Sequence, residues 1–379
     1  MLPRHTTRSH RSLRRVTALA LLGWLAGAQA DEPAEQTTSL DRLIEEAASP
    51  QSAIDSGRGW SLAIDNDLFA PTQNDRDYTG GLALTVSGPQ TSDYWWSLDP
   101  VLRSIDTLLL RGADWSDMRM HQAVQTGWLS FTPQDLDAVE VDPSDRPYAS
   151  LLFVSAARQY VAPDARSVRY SDLTLGFLGL SLTSKLHDAI HDAVGSDTPR
   201  GYGHQISSGG EPTVRYAIGG SKLRGQRLAF GSGLIEAKTT WELSAGYLTE
   251  ASYAVSTRLG AIDSPWWSFS PERADYIARP SPVIRGRGNG LNELYVWAGA
   301  KVRLRGYNAF LQGQFRDSDH TFAADQINHV IGEAWIGVTG QFFSGTQMSY
   351  AVRYQTAEIR DGSGRRDPVC AGITISHSY

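Results

Sequence analysis

The sequence predicts an all-β fold: a transmembrane antiparallel up-and-down β-barrel of about 12 strands, with a short helix in an outer loop. Three observations carry this reading. Apolar and polar residues alternate with period two in one segment after another. The chain combines 11 Trp and 15 Tyr with 36 Gly, yet its mean hydropathy is only −0.31. That is expected when apolar surface is hidden in alternation rather than gathered in runs. The chain also ends on an alternating segment, Ile373 to Tyr379, with an aromatic last residue, a common feature of outer-membrane barrels.

The first 30 residues read as a secretory signal peptide. Arg4, Arg8, Arg11, Arg14 and Arg15 form a basic start, Val16 to Gly27 an apolar run, and Ala28-Gln29-Ala30 a cleavage site. The run is too short to span a bilayer as a helix, and no later segment of about 18 apolar residues exists. Without the leader the chain keeps 30 basic and 41 acidic side chains, a formal charge of −11. Such a balance argues against a nucleic-acid partner, which needs clustered positive charge. Cys370 is the single cysteine, so no internal disulfide is possible. Residues 31–57 are polar, with an acidic helical patch at 40–48, and read as a lead-in to a barrel over 58–379.

The strands follow in order. In 60–67, Trp60, Leu62 and Ile64 oppose Ser61, Ala63, Asp65 and Asp67. In 78–88, Tyr78, Gly80, Leu82, Leu84 and Val86 oppose Thr79, Gly81, Ala83, Thr85 and Ser87. Similar alternation recurs in 240–247, 293–304 and 347–355. Lysine, arginine, glutamine and glutamate on the polar faces suggest a wet lumen. About twelve to fourteen segments are visible, and closure favours an even number. Strands at roughly 59–67, 77–88, 121–131, 147–160, 167–178 and 211–219, with the N-terminus inside, put the connections 68–76, 132–146 and 179–210 on one outward-facing rim.

The polar clusters lie in or beside those three connections. Asp65-Asn66-Asp67 offers hard oxygen donors that suit Ca²⁺, although Asn and Asp also simply favour turns. Strict alternation aims Asp67 at the lumen and Asn66 outward. Arg146, in Asp145-Arg146-Pro147-Tyr148-Ala149, suits an anionic headgroup or an internal pair with Asp145. Leu182 to Val194 reads as a helix carrying His187 and His191 on one face. His191 in its last turn suits general-base work, and Asp197 follows. Zinc is a poorer fit, because the Glu of a zinc-protease helix is missing. No Gly-x-Ser-x-Gly elbow is present, which leaves water as the nucleophile for an ester hydrolase.

In their order, these motifs resemble the outer-membrane lipid A 3′-O-deacylase (LpxR-like) family. The matching pieces are Asn66-Asp67, Asp75-Arg76-Asp77-Tyr78-Thr79-x-Gly81, Thr132-Pro133 and Asp145-Arg146-Pro147-Tyr148-Ala149. They continue with Leu175-Gly176-Phe177-Leu178-Gly179, His191, Pro199-x-Gly201-Tyr202-x-x-Gln205, Glu211-Pro212 and Tyr307-Asn308-Ala309-Phe310-Leu311-x-Gly313. The resemblance implies a 12-stranded barrel in the bacterial outer membrane. It implies Ca²⁺-dependent hydrolysis that releases the 3′-acyloxyacyl group from the lipid A of lipopolysaccharide. His191 would activate water, with Asn66, Asp67 and Thr79 as polar site residues. Asp67 and Asp197 would contact the metal, and Tyr78 and Arg146 the substrate. His187, Asp197 and Tyr202 stand where the family tends to carry Gln, Glu and Trp. A barrel of this kind would meet outer membrane lipid as solvent and the barrel-assembly machinery during insertion. A non-enzymatic porin and an outer-membrane phospholipase remain the alternative readings.

Overall fold

A computed structural model describes residues 57–66, 69–70, 77–110, 115, 117–136, 141–182, 202–229, 233–284, 293–343 and 345–379. Twelve strands close into an antiparallel barrel in which every strand pairs with its sequence neighbours and β1 with β12. They are β1 (Gly59–Asn66), β2 (Asp77–Ser87), β3 (Arg119–Thr132), β4 (Ala149–Val161), β5 (Ser167–Leu178) and β6 (Glu211–Leu228). Then come β7 (Leu234–Gly246), β8 (Leu248–Ala261), β9 (Leu294–Asn308), β10 (Val330–Phe343), β11 (Thr346–Gln355) and β12 (Val369–Ser378). Among the described residues no helix is long and apolar enough to cross a membrane. Closure removes the unpaired edges that a bilayer does not tolerate. The start of β1 and the end of β12 share the proximal rim. The connections after β1, β3 and β5 share the opposite, distal rim, as the strand parity in the sequence implies.

The apolar side of β9 faces outward. On β9, Leu294, Val296, Val302 and Leu304 are 64%, 52%, 52% and 59% exposed, whereas Tyr295, Trp297, Lys301 and Arg303 are all buried. An exposed apolar face of this kind is stable only with lipid against it.

The polar faces do not line an open, wet channel. The described first part of the β8–β9 connection, residues 262–284, folds back into the lumen and binds the wall on many sides. Gln125 of β3 donates to the Ala278 carbonyl at 2.9 Å and Gln159 of β4 to that of Trp267 at 3.1 Å. Lys301 of β9 donates to the Glu272 and Ala274 carbonyls at 2.8 and 3.0 Å. Arg353 of β11 donates to the Pro271 carbonyl at 2.7 Å. Asp275 in this inner segment lies 2.8 Å from both Arg215 of β6 and Arg303 of β9. Buried pairs of this sort fix geometry more reliably than they add stability. Towards the distal end the filling turns aromatic: Phe131, Tyr276 and Phe310 pack with ring centroids 4.7 to 5.9 Å apart.

A helix, α1 (Asp99–Leu109), interrupts the β2–β3 connection. It lies against the outside of the barrel, where Leu102 packs with Val124, Ala156 and Leu173 of the wall. Its one-turn counterpart α2 (Ala309–Gln312) sits on the distal rim, capped by the Asn308 side chain, which accepts from the Phe310 N–H.

Candidate active site at the distal rim

The distal ends of β1 to β5 form one transverse row. Asn66 pairs with Gly80, Gly80 with Ser130, and Ser130 with Ser150. The Gly179 N–H donates to the Ser150 carbonyl at 3.0 Å. Alternation places the side chains of this row on the outer surface of the wall. One step towards the bilayer centre, the same face carries Ile64, Leu82, Trp128, Leu152 and Phe177. Of these, Leu82 and Phe177 are 38% and 48% exposed. A row of small polar groups therefore borders the distal edge of the apolar band.

Ser150 Oγ donates to Gln205 Oε1 at 2.8 Å, which brings the segment after residue 201 onto this outer face. Ser130 is fully buried, and its hydroxyl has no partner among the described residues. A buried hydroxyl left without a partner carries a desolvation cost, so this one is a polar group still available for bonding.

A β-bulge re-aims the start of β2. The register with β3 shifts between Tyr78 and Gly80, leaving Thr79 as the extra residue. Bulges do this next to functional sites. Thr79 is 1% exposed, and its hydroxyl meets that of Thr132 at 2.6 Å. Tyr78 turns inward instead, and its ring packs against Phe131 and Tyr276 at 5.6 and 5.7 Å. Gly81 makes this possible, since a Cβ there would lie 2.6 Å from the Tyr78 hydroxyl oxygen. This corrects the expectation from strict alternation, which put Tyr78 on the Leu82 face. Tyr78 belongs to the lumen cluster, on the opposite face of the wall from Asn66.

Arg146 is also placed differently. It is 3% exposed, stacks over the Phe131 ring at 4.4 Å and pairs with Glu358. Glu358 additionally accepts from Tyr276 Oη at 2.5 Å and from Arg305. Burial would raise the Glu358 carboxyl, but Arg146 and Arg305 outweigh that and hold it below its ordinary value. Arg146 is thus enclosed and neutralised. The anion it meets in the structure is the Glu358 carboxylate. Asp145 is not its side-chain partner: Asp145 accepts from Arg366 at 2.6 Å, and Arg366 also holds Asp77 through bonds of 3.0 and 2.9 Å. The Arg366 clamp secures Asp77 in a left-handed conformation, φ 70°, which is uncommon for any residue but glycine.

Gly179 ends β5 with φ +67°, and a Cβ there would come within 2.3 Å of the Ile206 and Ser207 carbonyl oxygens. Only glycine lets the chain leave β5 beneath the 202–210 segment. The Tyr202 ring packs tilted against Tyr148, with centroids 4.8 Å apart, and Glu211 accepts from Ser207 Oγ at 2.6 Å and from the Phe315 N–H at 2.8 Å.

The structure therefore brings Asn66 and Thr79 to the distal rim and separates Tyr78 and Arg146 from the outer-face row. Asp67, His187, His191 and Asp197 lie outside the described residues, as do residues 183–201. Ser181 and Leu182 are helical; the rest of the helix expected over 182–194 lies outside the described residues. Among the described residues no group of three His, Cys, Asp or Glu side chains is placed to hold a metal. Sequence reasoning missed Ser130 and Ser150. Their signal is a polar residue at the end of an otherwise apolar outward face. It also missed Glu358 and Arg366, which have no local signal because they act across more than 200 residues of chain.

Comparisons agree with this architecture. The family model described as "Outer membrane protein LpxR" matches residues 19–379. The solved structure "LpxR from Salmonella typhimurium" superposes with a TM-score of 0.66 at 18% identity, covering 85% of this chain and 100% of that one. At that identity the likeness shows the fold. The β-domain of the Bordetella autotransporter BrkA covers 86% of this chain and 100% of its own at 10% identity, but its TM-score of 0.38 carries no argument. None of the curated proteins matches. The match over nearly the whole length, together with the closed 12-strand barrel, places the chain in the LpxR family of outer membrane proteins.

Proposed function

We propose that the protein is a lipid A 3′-O-deacylase, a carboxylic ester hydrolase that acts on lipopolysaccharide at the distal, outward-facing rim. The observation that carries this reading is the polar row Asn66–Gly80–Ser130–Ser150 on the outer surface, directly beyond the apolar band. An ester at the boundary between acyl chains and sugar headgroup would lie at that height. A lipid would approach this height sideways, from the membrane, beside the half-buried Asn66 at the end of the row, without entering the lumen. Family membership supports the same activity.

In this mechanism His191 takes a proton from water, and the hydroxide attacks the acyl carbonyl; the tetrahedral intermediate then breaks its C–O bond to the 3′ sugar oxygen, which leaves as the alcohol with the proton returned by His191. Thr79 and Asn66 orient the substrate or the water. The described part of the site contributes amide and hydroxyl oxygens and a partner-free buried Ser130 hydroxyl, a donor chemistry that suits a hard cation. Asp67 and Asp197, with the Asn66 amide oxygen, would hold Ca²⁺. When bound, the ion would supply charge stabilisation for the oxyanion. A porin has less support, since the inner segment at 262–284 occupies the lumen.

Incubating the purified barrel with lipid A and with phospholipid, each with and without a Ca²⁺ chelator, tests the reading. Chelator-sensitive release of acyl chains from lipid A alone is expected. Hydrolysis confined to phospholipid would overturn it.

A further inference from the structure

We propose that α1 is an interfacial helix, seated in the boundary between headgroups and acyl chains of the leaflet around the proximal rim. There it takes over from the strands as the lipid-facing surface of β3 to β6.

The strand wall beneath α1 is not apolar. Four steps below the polar row of the candidate site lies the transverse row Gln122–Arg158–Ser171. Alternation points these residues outward, at a height where the opposite side of the barrel is still apolar. On β9 and β10 the outward positions run through six pairs, from Leu304/Val330 to Leu294/Gly340, without a polar side chain. A bare arginine and serine facing lipid would be costly.

Helix α1 covers that row with matching chemistry. Asp99 accepts from Arg158 Nε and Nη2 at 2.6 and 2.7 Å. Asp106 accepts from Ser171 Oγ at 2.7 Å and from Tyr216 Oη at 2.9 Å. Gln122 lies 3.5 Å from Asp99. The two acids stand seven residues apart, on the same helix face, so one face of α1 is a polar clamp with Leu102 packed between its ends.

The rest of α1 does not suit water. Val101, Leu108 and Leu109 are 50%, 61% and 60% exposed, and Trp95 in the preceding turn is 96% exposed. Arg103, Ser104 and Thr107 occupy a separate, exposed face. An apolar flank beside a polar face with one arginine is the pattern of a helix lying in the plane of an interface. A protruding tryptophan is the usual anchor at that depth. Continuity favours lipid over a protein partner. The flank extends the outward-facing band of Leu82, Leu84 and the strands beyond, which is already the membrane surface of the barrel.

The full chain carrying Cys370→Ser is reconstituted in vesicles of phosphatidylethanolamine and phosphatidylglycerol. Single cysteines at Val101, Leu108, Ser104 or Thr107 carry a nitroxide label. Barrel formation is checked by heat-modifiable migration; Leu109 replaces 101 or 108, and Arg103 replaces 104 or 107, where a site fails it. Collisions with oxygen should exceed those with a water-soluble nickel chelate at 101 and 108, and the order should reverse at 104 and 107. Equal, chelate-dominated collisions at all sites would show a helix standing in water and would overturn the proposal. Neither outcome depends on hydrolytic activity.

Discussion

Arg146→Ala separates a structural clamp from a lipid-phosphate contact. The guanidinium is 3% exposed, pairs with Glu358 and lies 4.4 Å over the Phe131 ring. Breaking a buried pair by removing one partner costs about 3–5 kcal/mol, and a desolvated cation–π contact adds up to about 2 kcal/mol. Glu358 keeps Arg305, and Tyr276 still donates to it at 2.5 Å, so its charge is not left bare. The expected loss is therefore at the low end, about 2–4 kcal/mol. Urea unfolding of the detergent-solubilised barrel measures it, and a cycle with Glu358→Gln isolates the pair. A coupling of at least about 1 kcal/mol is expected for side chains in direct contact. The clamp reasoning fails if Arg146→Ala unfolds like the wild type. It fails equally if the variant only raises KM for phosphorylated lipid A and leaves KM for dephosphorylated lipid A unchanged.

Ser130→Leu together with Ser150→Leu would extend the apolar band over the candidate site and remove the bond to Gln205. Deacylation measured by acyl release should fall by an order of magnitude or more, while the barrel still migrates as a folded band. Asp99→Ala leaves Arg158 uncompensated on the outer wall. It should destabilise the barrel by about 3–5 kcal/mol, read by urea unfolding, with Arg158→Leu restoring most of the loss. The Glu358 carboxyl is held below its ordinary value, so its contribution is present above about pH 4.3, the unperturbed glutamate pKa. It is lost as pH falls through the lower folded value. Hydrogen exchange in residues 356–368 should therefore stay slow from pH 7 to about 5 and rise only under stronger acid.

Much of the wall was legible in the sequence because alternation reports a local property, the face a residue turns to lipid or lumen. Leu294, Val296, Val302 and Leu304 lie on the lipid side as their spacing implies. Parity along the chain likewise placed the connections after β1, β3 and β5 on one rim. What the sequence hid was non-local. The bulge at Thr79 breaks the alternation, and nothing in Tyr78-Thr79-Gly80 alone announces it. It depends on the register against β3. The partner of Arg146 is Glu358, in a loop 212 residues away, while Asp145, its chain neighbour, pairs with Arg366. The polar lumen residues suggested open water because the segment that satisfies them, 262–284, has no strand or helix signature. Its backbone carbonyls, at Glu272, Ala274 and Ala278, do much of the bonding. Asn66 and Thr79 were found through the ordered motifs, whereas Ser130 and Ser150 become significant only once the strands are paired side by side.

The central claim is a hydrolytic site on the outer surface of the distal rim that acts on lipid A. Mass spectrometry of lipid A from cells producing either the wild-type chain or His191→Ala tests it most directly. The account predicts loss of the 3′-linked acyloxyacyl group with the wild type. It predicts intact lipid A with a variant that still folds as a heat-modifiable barrel. Unaltered lipid A with the folded wild-type chain, or continued loss of those acyl chains with His191→Ala, would contradict it.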